Sequence, residues 1–393
     1  MDDRRLKIAY LTSTDARNRH AWSGTQFSIW NALQKHVGDI ELIHSVKPFF
    51  PLLIGKIATG LSQKLLHKRY NYRHSKMLAK GYARIVNKRL KENSYDLIVV
   101  PATSAFIPYL KTALPIAYIG DSTVKSSMNY HRALSNMLAF SSTETIATER
   151  LAFNRANFLI FSSEWAANSA INDFKINPDK VFVAPFGPNM ETSTLPPGEL
   201  ALSKRKGTDC RLFFIGVNWI DKGGSIAFDA MVELNNMGID TQLTVCGCVP
   251  PAEFNHPKLN IIPFLDKNNE EQRRKLDEIY LHTDFVILPT RFEAFGVVFS
   301  EASAFGIPSI ATDTGGVSSA VINGENGFLL PYSATGKDYA KLIAEIFKDD
   351  DTYYSLAKES RNLFETRLNW DNWAKIFKEA YRKTISEAEQ LPV

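Results

Sequence analysis

Two glutamates, Glu293 and Glu301, bracket the run EAFGVVFSE, and the residues around them have the makings of a binding site. A buried-type strand, DFVILP, ends just before Glu293, which leaves that carboxylate in the loop that follows. Phe295, Gly296 and Val297 open a helical run, and the free N–H groups of a helix start suit a diphosphate. Gly296 lets the backbone approach a ligand closely. From the loop, Glu293 is placed to accept hydrogen bonds from the hydroxyls of a sugar. Glu301, about a turn and a half into the helix, has the geometry to accept both hydroxyls of a ribose. As ordinary solvated residues the two fit poorly: Glu301 is embedded in VVFSEASAF, and a carboxylate among apolar neighbours needs a partner.

The elements that must hold these residues are legible as alternating strands and helices. LKIAYLT, IELIHSV, DLIVVP, PIAYIGD, FLIFSS and VFVAPFG are strand-like runs in the first half, with a helix at 25–36. A polar stretch follows, Pro188–Asp209, which carries Pro196-Pro197 and no sustained period, a linker composition. The pattern then restarts with RLFFIG, a helix from about Gly224, TQLTVCG, LNIIPF, a helix to Tyr280, DFVILP and PSIAT. Strands alternating with helices predict parallel sheets covered on both faces. Two such halves predict a ligand cleft at their strand carboxyl ends. The expected domains are 1–190 and 209–370, with a last helix at about 371–393 packing back on the first.

Composition bounds the class. A chain of 393 residues with 45% hydrophobic and 22% charged residues is an ordinary globular enzyme in two domains. The opening MDDRRLKIAYLTST lacks the apolar core of a secretory signal, and no apolar stretch has the length of a membrane span. Three cysteines do not make a disulfide framework, and Cys246 and Cys248 supply only half a tetrahedral metal site; they are read as reduced thiols. A cytoplasmic protein is expected.

The paired glutamates followed by ASAFGIPSIATDTGG resemble the signature of the retaining glycosyltransferases of family 4. FFIGVNWIDKGG, LTVCGC and ENGFLLP are similar to further motifs of that family, in its order, over about 170 residues; the first half matches more loosely, in strand order and in SSEW. The resemblance implies an α/β GT-B fold, two Rossmann-like domains facing each other across a cleft. It implies transfer, with retention, of a sugar from a UDP-, GDP- or ADP-sugar to a glycan, glycolipid or protein-glycan acceptor, in surface polysaccharide or glycoconjugate synthesis. The nucleotide sugar is a substrate, and no further cofactor is expected. Carried onto this sequence, Glu293 contacts the donor sugar, Glu301 the ribose and Lys222 the diphosphate. Phe295, Gly296 and Val297 offer backbone amides, Phe264 and Leu265 lie near the base, and Gly24-Thr25 form the glycine loop at the first helix start. Gly315 and Gly316 belong to the donor-side loop.

Two departures stand out. Val217 occupies a position where many members carry arginine, which puts more of the diphosphate charge on Lys222. The usual histidine is replaced in YIGDST, where Asp121 is either the active-site carboxylate or a cap of the following helix. No D-x-D pair lies in a suitable loop, since Asp349–Asp351 stand beside a C-terminal helix, and metal independence is expected. The alternatives to a transferase are a sugar-nucleotide epimerase of the same fold and a non-catalytic sugar-nucleotide or glycan-binding protein.

The net charge of +4 hides an asymmetry. Between Leu42 and Lys91 there are twelve Lys and Arg and no Asp or Glu, leaving 34 basic against 42 acidic residues elsewhere. Leu53, Ile57, Leu61 and Leu65 recur there at helical spacing. The stretch is read as docking on an anionic membrane near a lipid-linked acceptor, or as binding an acidic glycan. The alternative is a pair of amphipathic helices covering the sheet with their basic face in water. Tyr70, Tyr72 and Tyr82 interleave with the basic residues, but with no nucleic-acid motif RNA is not an expected partner. Asn18, Arg19, His20 and Trp22, beyond the first strand, are candidate acceptor or phosphate contacts.

Overall fold

A computed structural model describes residues 4–202 and 207–390; the first three and last three residues of the expected domains, and 203–206 of the expected linker, lie outside the described residues. The chain divides into two compact units, 1–184 with 373–393, and 185–372. Each is built on one six-stranded parallel sheet.

In the first unit the strands are β1 (Leu6–Leu11), β2 (Gly38–Ile43), β3 (Leu97–Pro101), β4 (Ile116–Gly120), β5 (Phe158–Phe161) and β6 (Val181–Val183), in the order β2-β1-β3-β4-β5-β6. Helices α1 (Thr25–His36), α2 (Phe49–Leu66), α3 (Lys76–Arg89), α4 (Val124–Ser127), α5 (Ala139–Arg155) and α6 (Glu164–Phe174) connect them. β3, β4 and β5 are buried throughout, as the continuous Ile, Val and Phe runs require of strands covered on both faces. Successive order reverses at β1, which has β2 on one side and β3 on the other.

The second unit holds β7 (Cys210–Ile215), β8 (Thr241–Cys246), β9 (Leu259–Ile262), β10 (Phe285–Leu288), β11 (Ser309–Thr312) and β12 (Gly327–Leu330), ordered β12-β11-β10-β7-β8-β9. Its helices are α7 (Gly198–Leu202), α8 (Gly224–Asn236), α9 (Glu270–Leu281), α10 (Val297–Ala304), α11 (Gly336–Lys348) and α12 (Asp350–Thr366); the last helix, α13 (Trp370–Gln390), only begins in it. The order reverses at β7, between β8 and β10.

The polar stretch read as a linker is packed structure as far as it is described. Trp370 Nε1 donates to the Pro188 carbonyl at 2.8 Å, and Arg361 Nη1 donates to the Pro196 carbonyl at 2.9 Å. Proline-rich composition signalled irregular backbone, not freedom from contact. From Trp373 onward α13 belongs to the first unit. Trp373, Ala374, Phe377 and Ala380 are buried at helical spacing, with the Phe377 ring 5.5 Å from Phe158 and Lys383 3.0 Å from Asp179.

One acid is fully enclosed in the first unit. Glu149 of α5 accepts from Val124 N at 2.6 Å and from Ser104 Oγ at 3.2 Å. Burial outweighs these two donors and pushes its carboxyl up to about 8. A raised folded value means the native state holds the proton more tightly. This contribution to stability is complete below the ordinary glutamate range and is lost as pH rises through about 8. The thermal midpoint, measured by calorimetry between pH 5 and pH 9, should therefore fall with rising pH, and Glu149→Gln should flatten that slope; an unchanged slope would remove this assignment.

Candidate functional site

The reversal at β7 opens two loops side by side at the carboxyl ends of β7 and β10, the place where parallel sheets bind ligands. The loop after β7 runs to Gly223, which caps α8 at φ +72°; a Cβ there would lie 1.9 Å from the Pro289 carbonyl of the other loop. Arg291 N bonds the Asp221 carbonyl at 2.8 Å, tying the loops together. Between them Lys222 Nζ meets Glu293 Oε2 at 2.5 Å and the Phe292 carbonyl at 3.3 Å. Gly216 makes room for the lysine stem, since a Cβ there would stand 2.9 Å from Lys222 Cγ. Lys222 and Glu293 are both largely but not wholly buried, so each keeps some access to solvent.

Gly296 is the N-cap of α10 at φ +86°, a left-handed conformation that favours glycine. A Cβ there would lie 2.4 Å from the Phe299 ring and 3.3 Å from Glu293 Cγ. Phe295 is buried with its ring 5.5 Å from Phe186, so its contribution outward is backbone. Gly315, at φ +56°, precedes Gly316, whose N–H reaches the Glu293 carbonyl at 3.2 Å. Lys222, Glu293, the start of α10 at Gly296–Val297 and the 315–316 loop thus converge.

Glu301, on the same helix, has a side chain only 3% exposed and the partners that burial demands. Lys267 Nζ lies 2.7 Å from Oε1, and the Tyr280 hydroxyl donates to Oε2 at 2.9 Å. Burial and this carboxylate hold the Tyr280 phenol well above its usual range, so it stays a donor. A carboxylate offers about four acceptor positions, so two remain for a ligand's hydroxyls. Sequence reading asked for a partner to Glu301 without finding these two. A lysine and a tyrosine in separate elements carry no spacing signal; only the fold brings them to α10. Phe264 is exposed and Leu265 half-buried in the loop between β9 and α9.

Cys246 ends β8, buried, its thiol pushed up to about 11 by burial; Cys248 lies past the strand, and both are free thiols.

In the first unit the equivalent reversal lies at β1. Tyr10 of that strand donates through its hydroxyl to the Gln26 carbonyl at 2.9 Å. Ahead of α1, Trp22, Ser23 and Gly24 have φ of 51°, 55° and 95°, three left-handed residues in succession. For tryptophan and serine that costs about 1–2 kcal/mol each. The Trp22 indole donates to Asp121 Oδ2 at 2.8 Å, pinning this turn to the end of β4. Gly24 is the N-cap of α1 and Thr25, buried, its first residue. Asp121 does not cap the following helix: Thr123 does so, in a capping box with Ser126. The loop also places Arg19 over the Phe27 ring at 4.3 Å.

Residues 202–363 match the family described as glycosyl transferases group 1. Among curated proteins, the D-inositol 3-phosphate glycosyltransferase of Corynebacterium diphtheriae is 26% identical over 328 residues, 78% of this chain and 70% of that protein. That of Corynebacterium urealyticum is 34% identical over 121 residues, 30% and 27% of the two chains. The chain spans 27% and 59% of the length of the Corynebacterium urealyticum and Corynebacterium aurimucosum relatives. Solved structures share the fold along the whole chain. Sucrose-phosphate synthase of Thermosynechococcus elongatus superimposes with a TM-score of 0.68 at 16% identity, covering 98% of this chain and 100% of that one. Anabaena HepE, in complex with UDP and glucose, gives 0.61 at 16% identity, covering 96% and 100%. The two Rossmann-like units of this chain thus have the GT-B fold.

The Lys267–Glu301 pair is mostly buried, so removing one partner strands the other charge. Lys267→Ala should destabilise the chain by about 3 kcal/mol at neutral pH. The paired replacement Lys267→Met with Glu301→Met should recover much of that loss in denaturant unfolding. Equal loss in both variants would show that packing, not charge, is what the site needs.

Proposed function

We propose that the chain is a glycosyltransferase that moves a sugar from a nucleoside diphosphate sugar to a glycan, glycolipid or protein-linked glycan, with retention at the anomeric carbon. The observation that carries this reading is the Lys222–Glu293 pair beside the amino end of α10, at the reversal of the second sheet. An ammonium and free helix amides together match a diphosphate, and an adjacent carboxylate matches sugar hydroxyls. In this reading Lys222 leaves Glu293 for the diphosphate when the donor binds, and the freed carboxylate accepts from the sugar. Glu301, already oriented by Lys267 and Tyr280, takes the ribose hydroxyls; Phe264 and Leu265 flank the base.

In transfer, the bond between the anomeric carbon and the diphosphate oxygen breaks and its electrons stay on the diphosphate. The acceptor hydroxyl bonds to that carbon, and its proton passes to the departing diphosphate oxygen. Lys222 and the amides of Gly296 and Val297 stabilise charge that grows on the leaving group, a task of positioning and electrostatics. Because these groups meet that charge, we take transfer to be independent of metal. Asp121, anchored by the Trp22 indole next to Gly24 and Thr25, is our candidate for the carboxylate on the acceptor-binding unit. A role in surface polysaccharide or glycoconjugate synthesis accords with one fold neighbour, WaaG, described as involved in lipopolysaccharide biosynthesis. Free thiols and a nucleotide-linked donor accord with work in the cytoplasm.

Titration calorimetry and transfer assays with UDP-, GDP- and ADP-sugars divide the roles. Glu301→Ala should weaken nucleoside diphosphate binding roughly tenfold or more, the loss of charge-assisted hydrogen bonds. Glu293→Ala should leave that binding nearly intact and lower kcat, and Lys222→Ala should lower kcat/KM by roughly 100-fold. Chelator should leave the rate unchanged. Wild-type kinetics in all three variants would refute the donor-site reading.

A further inference from the structure

The basic stretch of the first unit is arranged against expectation. An amphipathic helix covering the sheet would bury its apolar stripe, yet α2 turns that stripe outward. Phe49, Phe50, Leu53, Ile54, Ile57, Leu61, Leu65 and Leu66 are 45–72% exposed, eight of the twenty large exposed hydrophobics among the described residues. Its inward side carries Leu52, half-buried against the core, and otherwise small and polar residues. Gly55 and Ser62 are the buried ones, and a Cβ on Gly55 would lie 2.6 Å from Tyr72. Thr59 Oγ1 donates to the Gly55 and Tyr70 carbonyls at 2.9 and 2.8 Å. The helix is thus fitted to the protein through its polar, narrow side, and no repacking of that side would bury the leucines. Beside the contact, exposed Phe140 extends the apolar surface, its ring 5.7 Å from Tyr70.

Charge decides what covers this face. Lys56 and Lys64 stand exposed on the same helix and Lys68 just beyond it, with no acidic residue anywhere from 42 to 91. A second copy would press these lysines against their own counterparts, and the stretch itself offers no acid to pair them; the neighbouring Glu144 is taken up by Tyr70 and the Lys76 amide. Among the described residues no helix is long and apolar enough to cross a membrane. An exposed apolar face bordered by lysines is the form of a helix that lies in the plane of a lipid interface. We infer that α2 docks the chain on an anionic bilayer surface, with Phe49, Phe50, Leu53, Ile57, Leu61 and Leu65 entering the acyl boundary and Lys56, Lys64 and Lys68 meeting lipid phosphates. This does not rest on the donor-site reading.

Co-sedimentation of the full chain with phosphatidylcholine vesicles, with and without phosphatidylglycerol, tests it. The chain should bind the phosphatidylglycerol vesicles, and binding should fall roughly tenfold or more at high salt. The combined variant L53E/I57E/L61E should lose that binding with an unchanged melting midpoint, because the substituted side chains are exposed. K56E/K64E, which leaves the apolar stripe intact, should lose the preference for phosphatidylglycerol. Equal binding to both vesicle types overturns the inference, as does undiminished binding by the triple variant. So does a dimer in light scattering that the triple variant disperses.

Discussion

An ammonium held against a carboxylate between two loops is the constraint on which the second unit turns. Lys222 and Glu293 come from β–α connections about 70 residues apart, and they meet because β7 and β10 are neighbours while β8 lies on the other side of β7. Every nearby feature serves that meeting. Gly216 clears the lysine stem, Gly223 lets the two loops close on each other, and Gly296 turns the chain into α10 without touching Phe299. The pair is closely held and yet keeps part of its surface in solvent.

Glu301 solves a different problem. Its carboxylate is buried more deeply than Glu293, and the fold meets the cost with Lys267 and Tyr280. Two glutamates eight positions apart on one segment therefore sit in contrasting electrostatic settings. One is tied to a lysine in a partly exposed contact; the other is fixed by a buried network.

Much of this was legible before the structure. The Ile, Val and Phe runs located β1, β7, β8, β10 and β11 closely, because a strand buried on both faces leaves a continuous apolar signature. Glycine before VVFSE marked the start of α10. The parts that were not legible depend on long-range placement. Lys267 and Tyr280 have no sequence relation to Glu301. Thr123 rather than Asp121 caps α4, a choice decided by backbone geometry within three residues. The orientation of α2 was also hidden. Periodicity identifies an apolar face but carries no sign, and here the small side of the helix faces inward. Pro188–Asp209 carried turn residues, whereas the contacts of Pro188 and Pro196 are made with residues more than 100 positions away.

The division of the chain has a consequence for how it is made. The first unit needs residues from 373 onward: Phe377 packs on Phe158, and Trp373 and Ala380 are buried in the same body. The second unit is one uninterrupted stretch, 185–372. During synthesis the first six strands emerge early but wait, with part of their apolar surface uncovered, while the second body is translated and closes. The half of the protein that begins first on the ribosome is thus the half that finishes last.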